Sequence, residues 1–168
     1  VAGLEWGVFG PVDAPCLADG LTPDLADVSR LFDRLPDPAR LDRGEEIPVK
    51  IVTWNKEMAG TFKGWVKQKA VGSYLNLMYL YRHSINVDNG DYYPHCLMAQ
   101  TWLNAHESQP LTFRLSHDDP IEVQLNGETV YSSMRVENGF VTRAFSGILE
   151  KGENRLLIRM LITRNNSC

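Results

Sequence analysis

The sequence predicts an all-β domain of the sandwich or barrel type, and three observations point to it. Apolar and polar residues alternate with a period of two in segment after segment, the signature of strands with one face inward. Turn residues recur roughly every ten positions between those segments. The chain has 168 residues, 43% of them hydrophobic, enough to bury one core without a metal or disulfide staple. No repeat, low-complexity tract or linker divides it, so residues 1–168 are expected to form a single domain.

Taken in order, residues 4–12 read as a first strand closed by Gly10-Pro11, with Trp6, Val8 and Leu4 inward. Thr22-Pro23-Asp24 then has the form of a helix start: a capping hydroxyl, proline at the first position and an acid in the first turn. Leu25, Val28, Leu31, Phe32 and Leu35 follow at helical spacing, and Pro36 and Pro38 end the run. A short amphipathic helix is therefore expected near residues 22–35, followed by a charged surface loop from Asp37 to Glu46. Pro48 to Trp54 returns to strand periodicity, Asn55 to Gly64 has turn composition, and Trp65 to Val71 is mixed. Ser73 to Arg82 is apolar on both faces, as befits a central strand. Asp88-Asn89-Gly90-Asp91 marks a turn, and Cys96 to Asn104 is the next strand, with Trp102 expected in the core alongside Trp6.

The clearest stretch runs from Leu111 to Tyr131. Leu111, Phe113 and Leu115 alternate with Thr112, Arg114 and Ser116, and His117-Asp118-Asp119-Pro120 breaks the strand. Ile121, Val123 and Leu125 form a second alternation, which Asn126-Gly127, the strongest two-residue hairpin signal, turns back into Thr129-Val130-Tyr131. Gly139 to Phe145 and Ile148-Leu149 follow. After the turn Glu150 to Asn154, the last strand places Leu156, Ile158, Met160 and Ile162 on one face.

A net charge of −4 argues against a nucleic-acid partner or an anionic membrane surface. No apolar run approaches the roughly 18 residues of a spanning helix. Cys16, Cys96 and Cys168 lack metal-ligand spacing; buried or idle thiols are the plain reading, with a Cys16–Cys96 disulfide as the alternative in an exported parent. A first residue of Val1 and the lack of a signal peptide suggest a mature protein or a domain cut from a longer one, and the excised domain is the favoured expectation.

The succession LTFRLSHDDPIEVQLNGETVY and then LEKGENRLLIRM resembles the galactose-binding-domain-like jelly roll appended to many bacterial glycoside hydrolases. The shared features are the Ser116-His117-Asp118-Asp119 turn, the Asn126-Gly127 hairpin and the Lys151-Gly152-Glu153-Asn154 turn before the closing strand. Trp6 followed by Gly10-Pro11 is similar to the usual opening of such modules. The match covers residues 97–162 and, more faintly, 1–15. It implies a jelly-roll β-sandwich, to which the 22–35 helix would be an insertion. It also implies a non-catalytic carbohydrate-binding accessory domain of a larger secreted or periplasmic carbohydrate-active protein. The alternative is a purely structural domain that braces a neighbouring catalytic domain of the same parent chain. No cofactor is required, although the resemblance admits a structural calcium.

Sugar binders stack aromatic rings on the apolar faces of pyranoses and bind hydroxyls with amides, carboxylates and arginine. Tyr92 and Tyr93, beside an acidic turn, are the leading candidates, with Trp65, Arg82 and Asn86 completing the patch; Trp54 is a further loop-borne ring. Asp88, Asn89 and Asp91 supply oxygens suited to calcium, though without the length or terminal glutamate of an EF-hand loop. Asp118 and Asp119 are a second oxygen cluster, for which the plainer role is to fix the bend. An enzyme is not expected. His83, His95, His106 and His117 show no ligand spacing, Ser146-Gly147 is not in a nucleophile elbow, and the paired acids sit in turns.

Overall fold

Period-2 segments become strands only when a neighbouring strand pairs with them, and the computed structural model shows which partners each one takes. It describes residues 4–13, 32, 35–53, 56–70, 95–137 and 139–162. These include strands β1 (Glu5–Asp13), β2 (Glu46–Thr53), β3 (Lys56–Lys63), β4 (Val66–Lys69), β5 (His95–Ala105), β6 (Gln109–His117), β7 (Ile121–Leu125), β8 (Glu128–Ser133), β9 (Val141–Leu149) and β10 (Gly152–Ile162), with a five-residue helix α1 (Pro38–Asp42). The fold is all-β, antiparallel and sandwich-like. One six-stranded sheet has the order β4-β1-β5-β10-β7-β8, and β2-β3 and β6-β9 form two-stranded sheets.

From β5 onward the pairing is nested. β5 pairs with β10, β6 with β9, and β7 with β8. The innermost hairpin turns at Asn126 (φ 53°) and Gly127 (φ 89°), the two positive-φ positions of a type I′ turn, for which Asn-Gly is the preferred pair. Strands β1, β5 and β10 of the large sheet bury side chains on both faces, and β7 on one. Trp6 and Val8 of β1, Ala99 of β5, Ile121, Val123 and Leu125 of β7 and Leu156 of β10 pack under β6-β9, against Phe113, Leu115, Phe145 and Leu149. On the opposite face Phe9, Val12, Cys96, Met98, Leu157 and Leu161 are covered by Leu41 of α1, Ile47 and Val49 of β2, Phe62 of β3 and Phe32. Arg159 reaches across that face to pair with Glu122 and to donate to the Phe32 carbonyl.

The turns are tied by buried polar groups. Asn154 is 0% exposed. Its amide donates to the carbonyls of Glu150 (2.7 Å) and Gly152 (3.0 Å), and its oxygen accepts from the Glu150 N–H and the Asn126 amide, both at 2.8 Å. The His117-Asp118-Asp119-Pro120 break is buried throughout. His117 Nδ1 lies 3.0 Å from the Asp119 carbonyl, which can only accept, so this nitrogen carries a hydrogen; Nε2 is hydrogen-bonded to the Tyr131 hydroxyl (2.7 Å).

Several local expectations are corrected. Asp37 to Glu46 contains α1, because the Asp37 carboxylate caps the Ala39 N–H (2.9 Å) ahead of Pro38, and Leu41 is buried. Residues 56–63 are strand rather than turn, since pairing along the whole of β2 overrides the weak β-propensity of Ala59 and Gly60. Gly10-Pro11 does not close β1 but bulges it: Gly10 takes φ 103°, the register shifts between Phe9 and Val12, and both of those residues stay on one face. Of the helix expected near 22–35, only Phe32 and Leu35 are described, both against the core. The strand expected at 73–82 and Cys16 lie outside the described residues.

Candidate functional site

Along one face of β5 the side chains run Cys96, Met98, Gln100, Trp102 and Asn104, and opposite them on β10 run Leu161, Arg159, Leu157, Arg155 and Glu153. This face is core at one end and surface at the other. The covering layer reaches as far as the end of α1, where Asp42 takes over from apolar contacts. Asp42 Oδ1 accepts from Trp65 Nε1 (2.8 Å), Gln100 Nε2 (3.1 Å) and Arg155 Nη2 (3.4 Å), while Oδ2 faces Arg155 Nη1 at 3.0 Å. A two-pronged carboxylate–guanidinium contact of this kind fixes both planes. The Arg155 guanidinium lies 5.8 Å from the centroid of the Trp102 ring, and Trp102 is 50% exposed.

The site's flank is set by β1 and β4. The register that puts Gly7 opposite Gln100 brings Glu5 level with Trp102. Gly7 is where Trp65 crosses: a Cβ there would lie 2.8 Å from the Trp65 Cβ, so only glycine admits the ring at this point. Lys67 pairs with Glu5 at 2.8 Å. That hydrogen bond and the charge of Lys67, with Lys69 adding, hold the Glu5 carboxyl below the usual glutamate range, and the same contact raises the Lys67 ammonium. Two buried polar atoms in the cluster, Gln100 Oε1 and Arg155 Nε, find no partner among the described residues. One is an acceptor and the other a donor, and unmet buried groups of this kind concentrate at working sites.

The arrangement offers a half-exposed indole on a flat sheet face, beside a pinned guanidinium, a carboxylate and amides. It can stack on an apolar ring face and exchange hydrogen bonds with hydroxyls around it. The sequence placed this tryptophan in the core. The period-2 pattern correctly grouped Trp102 with Met98 and Gln100, but nothing local says that the covering layer stops one residue short of it. Trp65, expected as a loop-borne stacking ring, lies between β3 and β4, half-buried against the core cluster with its N–H tied to Asp42. Tyr92, Tyr93, Arg82, Asn86, Trp54 and the oxygen cluster Asp88, Asn89 and Asp91 lie outside the described residues. Among the described residues no group of three or more His, Cys, Asp or Glu is arranged to hold a metal. Comparison of the chain with protein-family models, curated proteins and solved structures finds no match.

Proposed function

We propose that the chain is a non-catalytic carbohydrate-binding module, an accessory domain of a larger secreted or periplasmic carbohydrate-active protein, built as a galactose-binding-like jelly roll. The nested pairing of β5·β10, β6·β9 and β7·β8 supports the jelly roll. Its three pairs alternate between the two sides of the sandwich, and the outer and inner ones join as β5-β10-β7-β8 in one sheet. The single observation that carries the function is Trp102, half exposed in a central strand and set beside Arg155. Of the other exposed large apolar side chains among the described residues, Val66 is on β4 and Phe140 just before β9, and only Leu111 and Ile148 sit on paired strands, β6 and β9. A domain that only braces a neighbour would present them as one patch.

Affinity electrophoresis against a polysaccharide panel tests the reading. Retardation is expected, and Trp102→Ala is expected to abolish it while the thermal melt is preserved, because the ring is not part of either core cluster. If Tyr92→Ala and Tyr93→Ala abolish retardation and Trp102→Ala does not, the sheet-face site is wrong and the loop patch expected from sequence is right. If no glycan retards the protein, carbohydrate binding is refuted for that panel and the structural brace takes its place.

A further inference from the structure

The charge arrangement around Trp102 narrows the ligand, given the carbohydrate-binding reading above. We propose that this face takes an uncharged glycan and discriminates against uronate-bearing or sulfated chains. Each cation at the site stands beside an acid. Arg155 is gripped by Asp42 at 3.0 Å, and Lys67 is bonded to Glu5 at 2.8 Å. Lys69 is the cross-strand partner of the same Glu5 and lowers its pKa. Glu153, two residues before Arg155 and on the same face, adds a further negative charge beside Asn104.

A polyanion approaching Trp102 therefore meets Asp42, Glu5 and Glu153 along with Arg155, Lys67 and Lys69, so it gains no net attraction to offset stripping water from its own charged groups. To gain a free cation it would have to displace Asp42 from Arg155, whose side chain is only 22% exposed. That exchange trades one carboxylate–guanidinium contact for another and leaves the displaced Asp42 carboxylate beside the incoming anion, so nothing is gained. A neutral sugar has no such conflict. Across neighbouring strands the face presents Lys69, Glu5, Trp102 and Arg155, so an acceptor flanks the ring on one side and a donor on the other. Glu5 and Arg155 lie one strand to either side of Trp102, each about 4.8 Å from it across the sheet, so a sugar stacked on the ring can donate to the carboxylate at one edge and accept from the guanidinium at the other. The heads are already held by their ion pairs, so ordering them on binding loses little further freedom.

The test uses matched pairs of polymers that differ in charge: galactan against polygalacturonate, hydroxyethylcellulose against carboxymethylcellulose, and dextran against dextran sulfate. Where a neutral member retards the full chain, its anionic counterpart is expected to do so at least about tenfold more weakly. Retardation by the neutral member is expected to change little as NaCl rises from about 0.05 to 0.5 M, since no net charge is neutralised. Asp42→Asn keeps an acceptor oxygen for Trp65 and Gln100 but frees the charge of Arg155, and is expected to raise the anionic member's relative retardation severalfold. Stronger retardation by the anionic members, weakened by salt, would overturn the inference and leave carbohydrate binding standing. An unchanged ratio in Asp42→Asn would overturn the charge-balance explanation. No retardation by any of the six polymers would remove both the inference and the reading beneath it.

Discussion

Replacing Asn154 tests whether the Lys151-Gly152-Glu153-Asn154 turn is held by one buried amide. The side chain is 0% exposed and ties together three strand ends. It bonds Glu150 through both N–H and carbonyl, the Gly152 carbonyl, the Asn126 amide and, more distantly at 3.4 Å, the Leu103 carbonyl. Asn154→Ala removes four well-formed hydrogen bonds, each worth about 1 kcal/mol net. Water reaches exposed Asn126 and Glu150 and recovers part of that, so the expected loss is about 3 kcal/mol, or about 6–12 °C in melting temperature for a domain of this size. Asn154→Asp adds a sign. Its carboxylate would face the Glu150 and Gly152 carbonyls where N–H groups now point, so its folded pKa is raised above the unfolded value of about 3.9. A raised acid binds more protons folded than unfolded, so the variant's stability falls as pH rises from about 4 until the carboxyl is ionised in the folded state too. Denaturant melts of both variants from pH 4 to 8 read these differences. A loss under about 1 kcal/mol for Asn154→Ala, or an Asp variant whose deficit does not grow with pH, would refute the assignment.

Gly10→Ala is expected to cost about 3 kcal/mol or more, because a Cβ at φ 103° would sit 2.7 Å from the Cys96 carbonyl oxygen, and neither backbone can yield. Gly127→Ala, at φ 89° with no atom within 4 Å, isolates the conformational part and is expected to lose only about 1 kcal/mol, so equal melts for the two would count against the bulge. Glu45 is held below the usual glutamate range by hydrogen bonds from Arg40 and Arg43, so its support of α1 is complete above that range and lost as pH falls through the lowered value. Glu45→Gln is therefore expected to lower stability slightly at neutral pH and to match the parent at the acid end, which makes the acid limb shallower; an acid limb identical to the parent's would refute it.

What the sequence made legible was local chemistry that the fold then used unchanged. Asn126-Gly127 specifies a turn through the φ values those residues tolerate, and the structure uses them at 53° and 89°. The alternation in Leu156, Ile158 and Met160 specifies an inward face, and those residues pack together. The misreadings came where partners far along the chain decide. Ala59 and Gly60 form strand because β2 lies beside them, and Leu41 completes a helix because a core face is there to bury it. Trp102 is the same kind of case. Its burial depends on how far α1 extends over β5, and nothing within ten residues of Trp102 reports that.

The position of the site follows from the way one face changes character along two paired strands. From Cys96 and Leu161, through Met98 and Leu157, to Gln100, Trp102 and Arg155, a single face passes from dry core to surface within a few strand residues. Asp42 stands at that boundary as the last group of the covering layer, and it meets the sheet through polar contacts alone. An apolar residue in place of Asp42 would let the covering layer close further, over Trp102. Leaving half of an indole uncovered forgoes about 2–3 kcal/mol of burial. Two buried polar atoms left unmatched nearby add to that cost, at about 1–3 kcal/mol each where no water meets them. A fold selected only for stability would recover that free energy with one longer apolar contact. A face that must keep an aromatic ring free and its polar neighbours rigid cannot, and it is this conflict between stability and exposure that singles out the Trp102 end of the sheet.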